Sequence, residues 1–149
     1  VDGRTASAAE ILAAALAERG RAAVLGTGTQ GKGLVQILLP VPTGGELQLR
    51  WSRIVMPSGW PLQGAGLLPA LCTAGGSEAA AGALVALRAG QQPMGAVLAR
   101  LRALRPPVSA LEASALRESC PGLDGVERET DFAQALVTDA TAYRTALMR

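Results

Sequence analysis

Two side chains near the start of the chain have types and surroundings that suit nucleophilic catalysis. Ser7 precedes an amphipathic segment, and Lys32, the only lysine, lies between Gly31 and Gly33. The chain has no histidine, so a Ser-His-Asp triad or a Cys-His pair cannot form within it. The other basic side chains are arginines, which stay protonated near neutral pH. Because serine and lysine can form a dyad without histidine, we consider Ser7 as nucleophile and Lys32 as general base.

The pattern around Ser7 also fits a structural role. Glu10 follows it by three residues, as in the capping box of a helix N-terminus, and such a cap stabilises a helix by about 1 kcal/mol. The pattern alone favours this role. A serine at the turn into a helix also presents its hydroxyl beside unbonded N–H groups and the positive end of the helix dipole. Those donors could stabilise an oxyanion.

The glycine-rich segment 26–33 permits other interpretations. It contains a G-x-G-x-x-G pattern and nearly matches the P-loop G-x-x-x-x-G-K-[ST]. Both motifs need a helix after the loop, whereas residues 34–40 predict a strand that ends at proline. Gly33 also stands where the P-loop has its magnesium-binding Ser or Thr. P-loop-like nucleotide binding is kept as an alternative. In the other interpretation, packing removes water from the Lys32 amine, which can then accept a proton.

Hydrophobic periodicity predicts an α/β fold class, with a mixed segment followed by a helical tail. The mixed segment is predicted to contain a helix over residues 7–19 and strands over residues 22–25, 34–39 and 47–52. The last strand alternates apolar and polar residues, which predicts one buried face. Glycine and proline residues then separate four predicted helices, over residues 77–88, 94–104, 109–119 and 131–148.

Composition limits the class of protein and of partner. The chain has 149 residues, 49% hydrophobic and 17% charged, which fits one ordinary domain. Its net charge is +2 and it has no basic stripe with interleaved aromatic residues, so we expect no nucleic-acid partner. No apolar run reaches the roughly 18–20 residues of a membrane-spanning helix, so we expect no transmembrane segment.

The ends and the cysteines leave more open. The chain begins at Val1 without a methionine, and we interpret it as a fragment of a longer protein, so that the lack of a signal peptide says nothing about compartment. Cys72 and Cys120 do not have the spacing of a metal site. A disulfide and two separate thiols fit the sequence equally well.

Several motifs, in the same order, resemble those of the C-terminal processing peptidases, also called tail-specific proteases. Residues 5–11, T-A-S-A-A-E-I, are similar to the family's S-A-S-A-S-E-I, and residues 29–36, T-Q-G-K-G-L-V-Q, are similar to its T-F-G-K-G-x-V-Q. Residues 57–69 resemble its P-S-G-R-x-I-Q-G-x-G-I-x-P. The spacing of Ser7 and Lys32 also agrees with that family.

The resemblance implies a serine endopeptidase without a cofactor that cleaves proteins near unstructured C-termini. Ser7 would be the nucleophile and Lys32 the general base, and Gln36 would orient the lysine amine. The backbone N–H of Ala8 would supply one oxyanion donor. The family's second oxyanion donor and its peptide-binding PDZ domain have no counterpart in this chain. The family also implies a periplasmic or cell-envelope location.

The resemblance implies an α/β core related to the crotonase and Clp-protease spiral. Residues 1–70 would be part of the catalytic domain, and residues 71–149 would be a helical C-terminal tail. Gln30, Trp60 and Ala70 depart from the family's usual Phe, Arg and Asp, and none of them removes the chemistry. A further alternative is a non-catalytic interaction module, which could form a homo-oligomer through exposed core edges.

Overall fold

The computed structural model describes residues 1–124 and 129–147, and these residues form a mixed α/β structure, as predicted. One small sheet pairs β1 with β4 in parallel, and a second pairs β2 with β3 antiparallel. In chain order the elements are α1 (Ala8–Glu18), β1 (Leu25–Gly26), β2 (Leu34–Pro40), β3 (Glu46–Arg53), β4 (Leu71–Cys72), α2 (Gly76–Arg88), α3 (Gly95–Ala103), α4 (Ala110–Arg117), α5 (Glu129–Thr138) and α6 (Ala140–Ala146).

Helix α1 confirms the first predicted helix, but the strand after it differs from the prediction. Strand β1 lies at the end of the predicted segment 22–25, and its ladder pairs Leu25 with Leu71. Before the ladder, the carbonyl of Val24 accepts hydrogen bonds from the N–H groups of Ala70 (2.9 Å) and Leu71 (3.3 Å). The predicted strand is therefore bonded to the chain around β4, a partner that hydrophobic periodicity does not reveal.

Strands β2 and β3 form a hairpin whose register runs from Leu34 opposite Arg53 to Pro40 opposite Glu46. The strand assignments are confirmed, but the prediction of a buried face on β3 is wrong. All eight of its residues are exposed, and the side chain of Trp51 is 73% exposed. Alternation places apolar side chains on one face of a strand, yet it does not supply a layer to cover them.

The helices of the second half agree with the prediction up to α4. The predicted single helix 131–148 is wrong, because Asp139 ends α5 and begins α6. The Asp139 carboxylate accepts hydrogen bonds from the N–H groups of Thr141 and Ala142, both at 3.0 Å, as a helix N-cap does. The last predicted position, Met148, lies outside the described residues. Within the described ranges, none of the helices combines the length and apolar character that crossing a bilayer requires.

A single hydrophobic core joins the mixed segment to the helices. Burial of such side chains from water stabilises the fold by about 1.5–3 kcal/mol each. The core therefore holds the glycine-rich loop region against the helical part of the chain. Its largest fully buried apolar side chains are Trp60, Leu62, Leu67, Leu68, Leu71, Leu87, Leu101 and Leu116.

A disulfide joins Cys72 to Cys120, with their Cα atoms 5.9 Å apart. Of the two alternatives that the sequence left open, the structure therefore has the paired one. The bond fixes the end of β4 to the chain just after α4. The two cysteines are 48 residues apart in sequence, so the bond joins two distant parts of the chain.

Candidate functional site

The backbone at Ser7 is held in a conformation that ordinary helix caps do not use. Its φ is 53° and its ψ is −117°, and no other non-glycine residue in the described ranges has a positive φ. A helix N-cap normally has extended dihedral angles. A positive φ costs a non-glycine residue about 1–3 kcal/mol and is concentrated at functional sites. A strained turn into a helix is also how the serine nucleophile of α/β-hydrolases is presented.

Glu10, in the first turn of α1, is a fully buried carboxylate with four hydrogen-bond donors around it. Its Oε1 accepts from the Gly31 N–H at 2.7 Å and from the Thr29 hydroxyl. Its Oε2 accepts from the Ser7 N–H at 2.8 Å and from the Lys32 N–H at 3.0 Å. A buried carboxylate is tolerated when its oxygens are satisfied in this way.

One oxygen of Glu10 therefore binds the backbone of both residues of the predicted dyad. Because Ser7 and Lys32 donate to the same atom, the helix start and the glycine-rich loop lie side by side. The sequence predicted Glu10 as part of a helix cap, and its N–H contact with Ser7 confirms that half of the capping box. Its bonds to the loop were missed, since no pattern within α1 points to partners that lie 19 to 22 residues away.

The glycine after Lys32 is required by a close approach of two backbones. A Cβ on Gly33 would lie 2.3 Å from the backbone nitrogen of Gln63. The Gly33 N–H also donates to Gln63 Oε1 at 2.9 Å. Gly33 therefore lets the loop pack closely against the backbone at Gln63. The same hydrogen bond shows that the Gln63 side chain holds the loop.

The side chain of Lys32 is exposed and lies in a cleft of about 390 Å³. The cleft opens between the glycine-rich loop and the hairpin, and it contains two cationic side chains and no carboxylate. Desolvation of the amine, on which the sequence argument depended, is therefore not provided by the described residues around it. The lining residues are Gln30, Gly31, Lys32, Leu34, Gln36, Arg50 and Gln63.

The nucleotide-binding alternative fails on two structural features. The loop is followed by strand β2, whereas the P-loop and the dinucleotide motif need a helix there. The N–H groups of Gly31 and Lys32, which a phosphate would need, already donate to the Glu10 carboxylate. A carboxylate at this place would also repel a phosphate.

Comparison with known proteins finds a family match for the segment that contains Ser7, Glu10 and Lys32. Residues 1–71 match the model of peptidase family S41. These residues, just under half of the chain, are similar to that family. The match includes α1, the glycine-rich loop, the hairpin and the approach to β4. Residues 72–149, with the five helices α2–α6, lie beyond it.

Three relatives each align with this chain over 69 residues, or 46% of its length. The carboxy-terminal-processing protease of Bartonella bacilliformis is 42% identical there, and the carboxyl-terminal-processing protease of a Picosynechococcus strain is 39% identical. The carboxyl-terminal-processing peptidase 1, chloroplastic, of Arabidopsis thaliana is 36% identical. The chain spans only 16%, 17% and 14% of these proteins, respectively.

The remaining predicted site residues lie in the S41 segment but are not all joined to the dyad. Gln36 lines the same cleft as Lys32, yet its Oε1 accepts a hydrogen bond from Gln48 Nε2 at 3.0 Å. In the described part of the chain, no hydrogen bond links Gln36 to Lys32. Ala8 is the first residue of α1, where a backbone N–H has no partner within the helix. Its role as an oxyanion donor stays a prediction.

Proposed function

We propose that this chain carries the nucleophile and the general base of a serine endopeptidase of the C-terminal processing type. The observation that carries the proposal is the shared Glu10 Oε2, which holds the backbones of Ser7 and Lys32 together inside an S41 segment. The strained φ of Ser7 supports it, because an ordinary cap does not need that conformation.

The reaction begins when the Ser7 hydroxyl attacks a peptide carbonyl carbon and its proton passes to the Lys32 amine. The resulting oxyanion accepts a hydrogen bond from the Ala8 N–H. The C–N bond then breaks, and the Lys32 ammonium returns its proton to the leaving amine. Water attacks the acyl-enzyme carbonyl as Lys32 takes its proton. The ester C–O bond to Ser7 then breaks, which releases the carboxyl product, and the Lys32 ammonium gives its proton to the Ser7 oxygen. Gln36 orients the lysine amine once its amide turns from Gln48 toward the cleft.

The exposure of Lys32 supports a site that extends beyond this chain. A lysine that acts as a base must be shielded from water. We therefore propose that further parts of a longer protein, or the bound substrate, cover the cleft and supply the second oxyanion donor. In this proposal residues 1–70 belong to a crotonase- or Clp-like catalytic domain, and residues 71–149 form its helical C-terminal tail.

The proposed substrate is a protein with an unstructured C-terminal segment, cleaved without a cofactor. The proposed location is the periplasm or cell envelope. The Cys72–Cys120 disulfide supports that location, because disulfides persist in oxidising compartments and are rare in the cytosol. The chloroplastic relative shows that processing peptidases of this type also occur in an organelle.

Labelling with a fluorophosphonate tests the nucleophile directly, because the reagent modifies activated serines. We expect the full-length protein to be labelled at Ser7, and we expect Ser7→Ala to lose the label. Ser77→Ala is the matched control, since Ser77 is exposed in the first turn of α2. A wild-type protein that takes up no label would instead support the alternative of a non-catalytic interaction module.

A further inference from the structure

The segment that begins at the last residue of α4 is hydrogen-bonded to the glycine-rich loop. We call residues 117–124 the strap; they lie beyond the S41 match, on the helical side of the chain. Within the strap, Leu123 exchanges two hydrogen bonds with the Thr27 side chain: the Thr27 hydroxyl donates to the Leu123 carbonyl at 2.9 Å and accepts from the Leu123 N–H at 3.1 Å. Arg117 Nη1 donates to the carbonyl of Thr29 at 2.7 Å.

The strap and the loop are also in direct backbone contact. A Cβ on Gly28 would lie 2.5 Å from the carbonyl oxygen of Cys120, so only glycine allows this approach. Cys120 is fully buried and is attached through its disulfide to Cys72, at the end of β4. The strap is therefore anchored to the core on one side and to the loop on the other.

A continuous series of contacts leads from the strap to the predicted dyad. Arg117 binds the carbonyl of Thr29, and the hydroxyl of the same Thr29 donates to the Glu10 carboxylate. Glu10 in turn binds the backbones of Ser7 and Lys32. Thr29 is fully buried in close-packed surroundings. A shift of its carbonyl therefore also shifts its contacts with Arg117 and Glu10.

We propose that Arg117 is a positioning residue for the Ser7–Lys32 pair, and that it acts through Thr29 and Glu10. The inference rests on the proposed peptidase function. A guanidinium that donates to a carbonyl makes a charge-assisted hydrogen bond, which is stronger and more directional than a neutral one. Arg117 thus fixes the position of the glycine-rich loop relative to α1. It does so from a segment that lies outside the family match.

The test compares three variants of the full-length protein: Arg117→Ala, Arg117→Lys and the control Arg100→Ala. Arg100 is exposed on α3, away from the loop. Two measurements are made on each variant. The first is kcat and KM with an unstructured peptide substrate, and the second is hydrogen exchange at the N–H groups of Gly31 and Lys32, relative to the amides of α2.

We expect Arg117→Ala to lower kcat by about 10- to 100-fold, because a small misplacement of reacting groups has effects of that size. KM should change by less than about twofold, and exchange at Gly31 and Lys32 should accelerate while exchange in α2 does not. Arg117→Lys should recover part of both effects, since an ammonium can still donate to the Thr29 carbonyl. Arg100→Ala should match wild type.

Two outcomes would overturn the proposal: an Arg117→Ala protein with wild-type kcat, or exchange that rises equally in α2 and in the loop, which would show general destabilisation. If Arg117→Ala does not fold, Thr27→Val replaces it, since it removes the other side-chain attachment of the strap at similar volume. If wild type does not cleave peptides, the proposed function fails, whereas exchange at Gly31 and Lys32 still decides whether Arg117 holds the loop.

Discussion

Replacement of Glu10 by Gln removes one acceptor atom from the centre of the site. The carboxylate has two donors on each oxygen: Thr29 and Gly31 on Oε1, and Ser7 and Lys32 on Oε2. An amide nitrogen cannot accept, so two donors lose their partner whichever way the glutamine is turned.

The structure indicates which pair is lost and what the loss costs. A buried donor without an acceptor costs about 1–3 kcal/mol, so two of them cost about 2–6 kcal/mol. The bonds from Thr29 and Gly31 are buried, whereas those from Ser7 and Lys32 are partly buried. The amide nitrogen should therefore face Ser7 and Lys32, where water can replace part of the loss, and the expected cost is about 2–3 kcal/mol in the free energy of unfolding.

Urea unfolding followed by circular dichroism measures this cost, with Glu46→Gln as the control, because Glu46 is an exposed residue at the start of β3. We expect Glu10→Gln to lower the unfolding midpoint and to accelerate amide exchange at Ser7 and Lys32. We expect Glu46→Gln to change neither. A Glu10→Gln protein as stable as the Glu46→Gln protein would refute the view that this carboxylate holds the helix start and the loop together.

Three further predictions concern the loop, the tail and the disulfide. Gly33→Ala should lower the free energy of unfolding by about 1–3 kcal/mol, because its Cβ would meet the Gln63 backbone. Gly82→Ala, in open space on α2, should instead raise the free energy of unfolding by about 0.5–1 kcal/mol. Equal urea midpoints for the two variants would contradict this prediction. The Ala142 N–H, together with Arg88, holds the pKa of Asp139 below its ordinary value of 3.8 despite some desolvation. The stability that the ionised Asp139 adds is therefore complete above pH 3.8, and it is lost as pH falls through the lower pKa of the folded state. The melting-temperature advantage of wild type over Asp139→Asn should accordingly be present at neutral pH and vanish in acid, and a constant difference across pH would count against it. Removal of the disulfide by Cys72→Ala with Cys120→Ala should lower the free energy of unfolding by about 2–4 kcal/mol, since it closes a long loop; an unchanged urea midpoint would show that the core alone holds the strap.

The sequence predicted elements well wherever local patterns decide them. The helices around Leu84, Leu98 and Leu116 have an apolar face with helical spacing and are bounded by glycine or proline, so their positions needed no tertiary information. The break at Asp139 was missed because apolar residues continue on both sides of it, and only the bonds of its carboxylate to α6 show that a new helix begins.

The sequence suggests the residue types of the candidate site but not the contacts that hold them. Ser7 and Lys32 stand out because histidine is absent and lysine is unique. The contacts that hold them depend on side chains distant in sequence, such as Glu10 to Lys32 and Arg117 to Thr29. Non-local hydrogen bonds leave no periodic trace. The pairing of Cys72 with Cys120 also depends on residues distant in sequence. The exposure of both faces of β3 could not be predicted either, because it depends on what packs against the hairpin.

The central claim is that Ser7 attacks and Lys32 takes its proton, and cleavage by the full-length protein tests it most directly. An unstructured C-terminal peptide is incubated with wild type, Ser7→Ala, Lys32→Ala, Lys32→Arg and the control Ser77→Ala. Lys32→Arg keeps the positive charge but cannot act as a base near neutral pH. We predict cleavage by wild type and Ser77→Ala only. Cleavage at the wild-type rate by Lys32→Arg or Lys32→Ala would contradict the account.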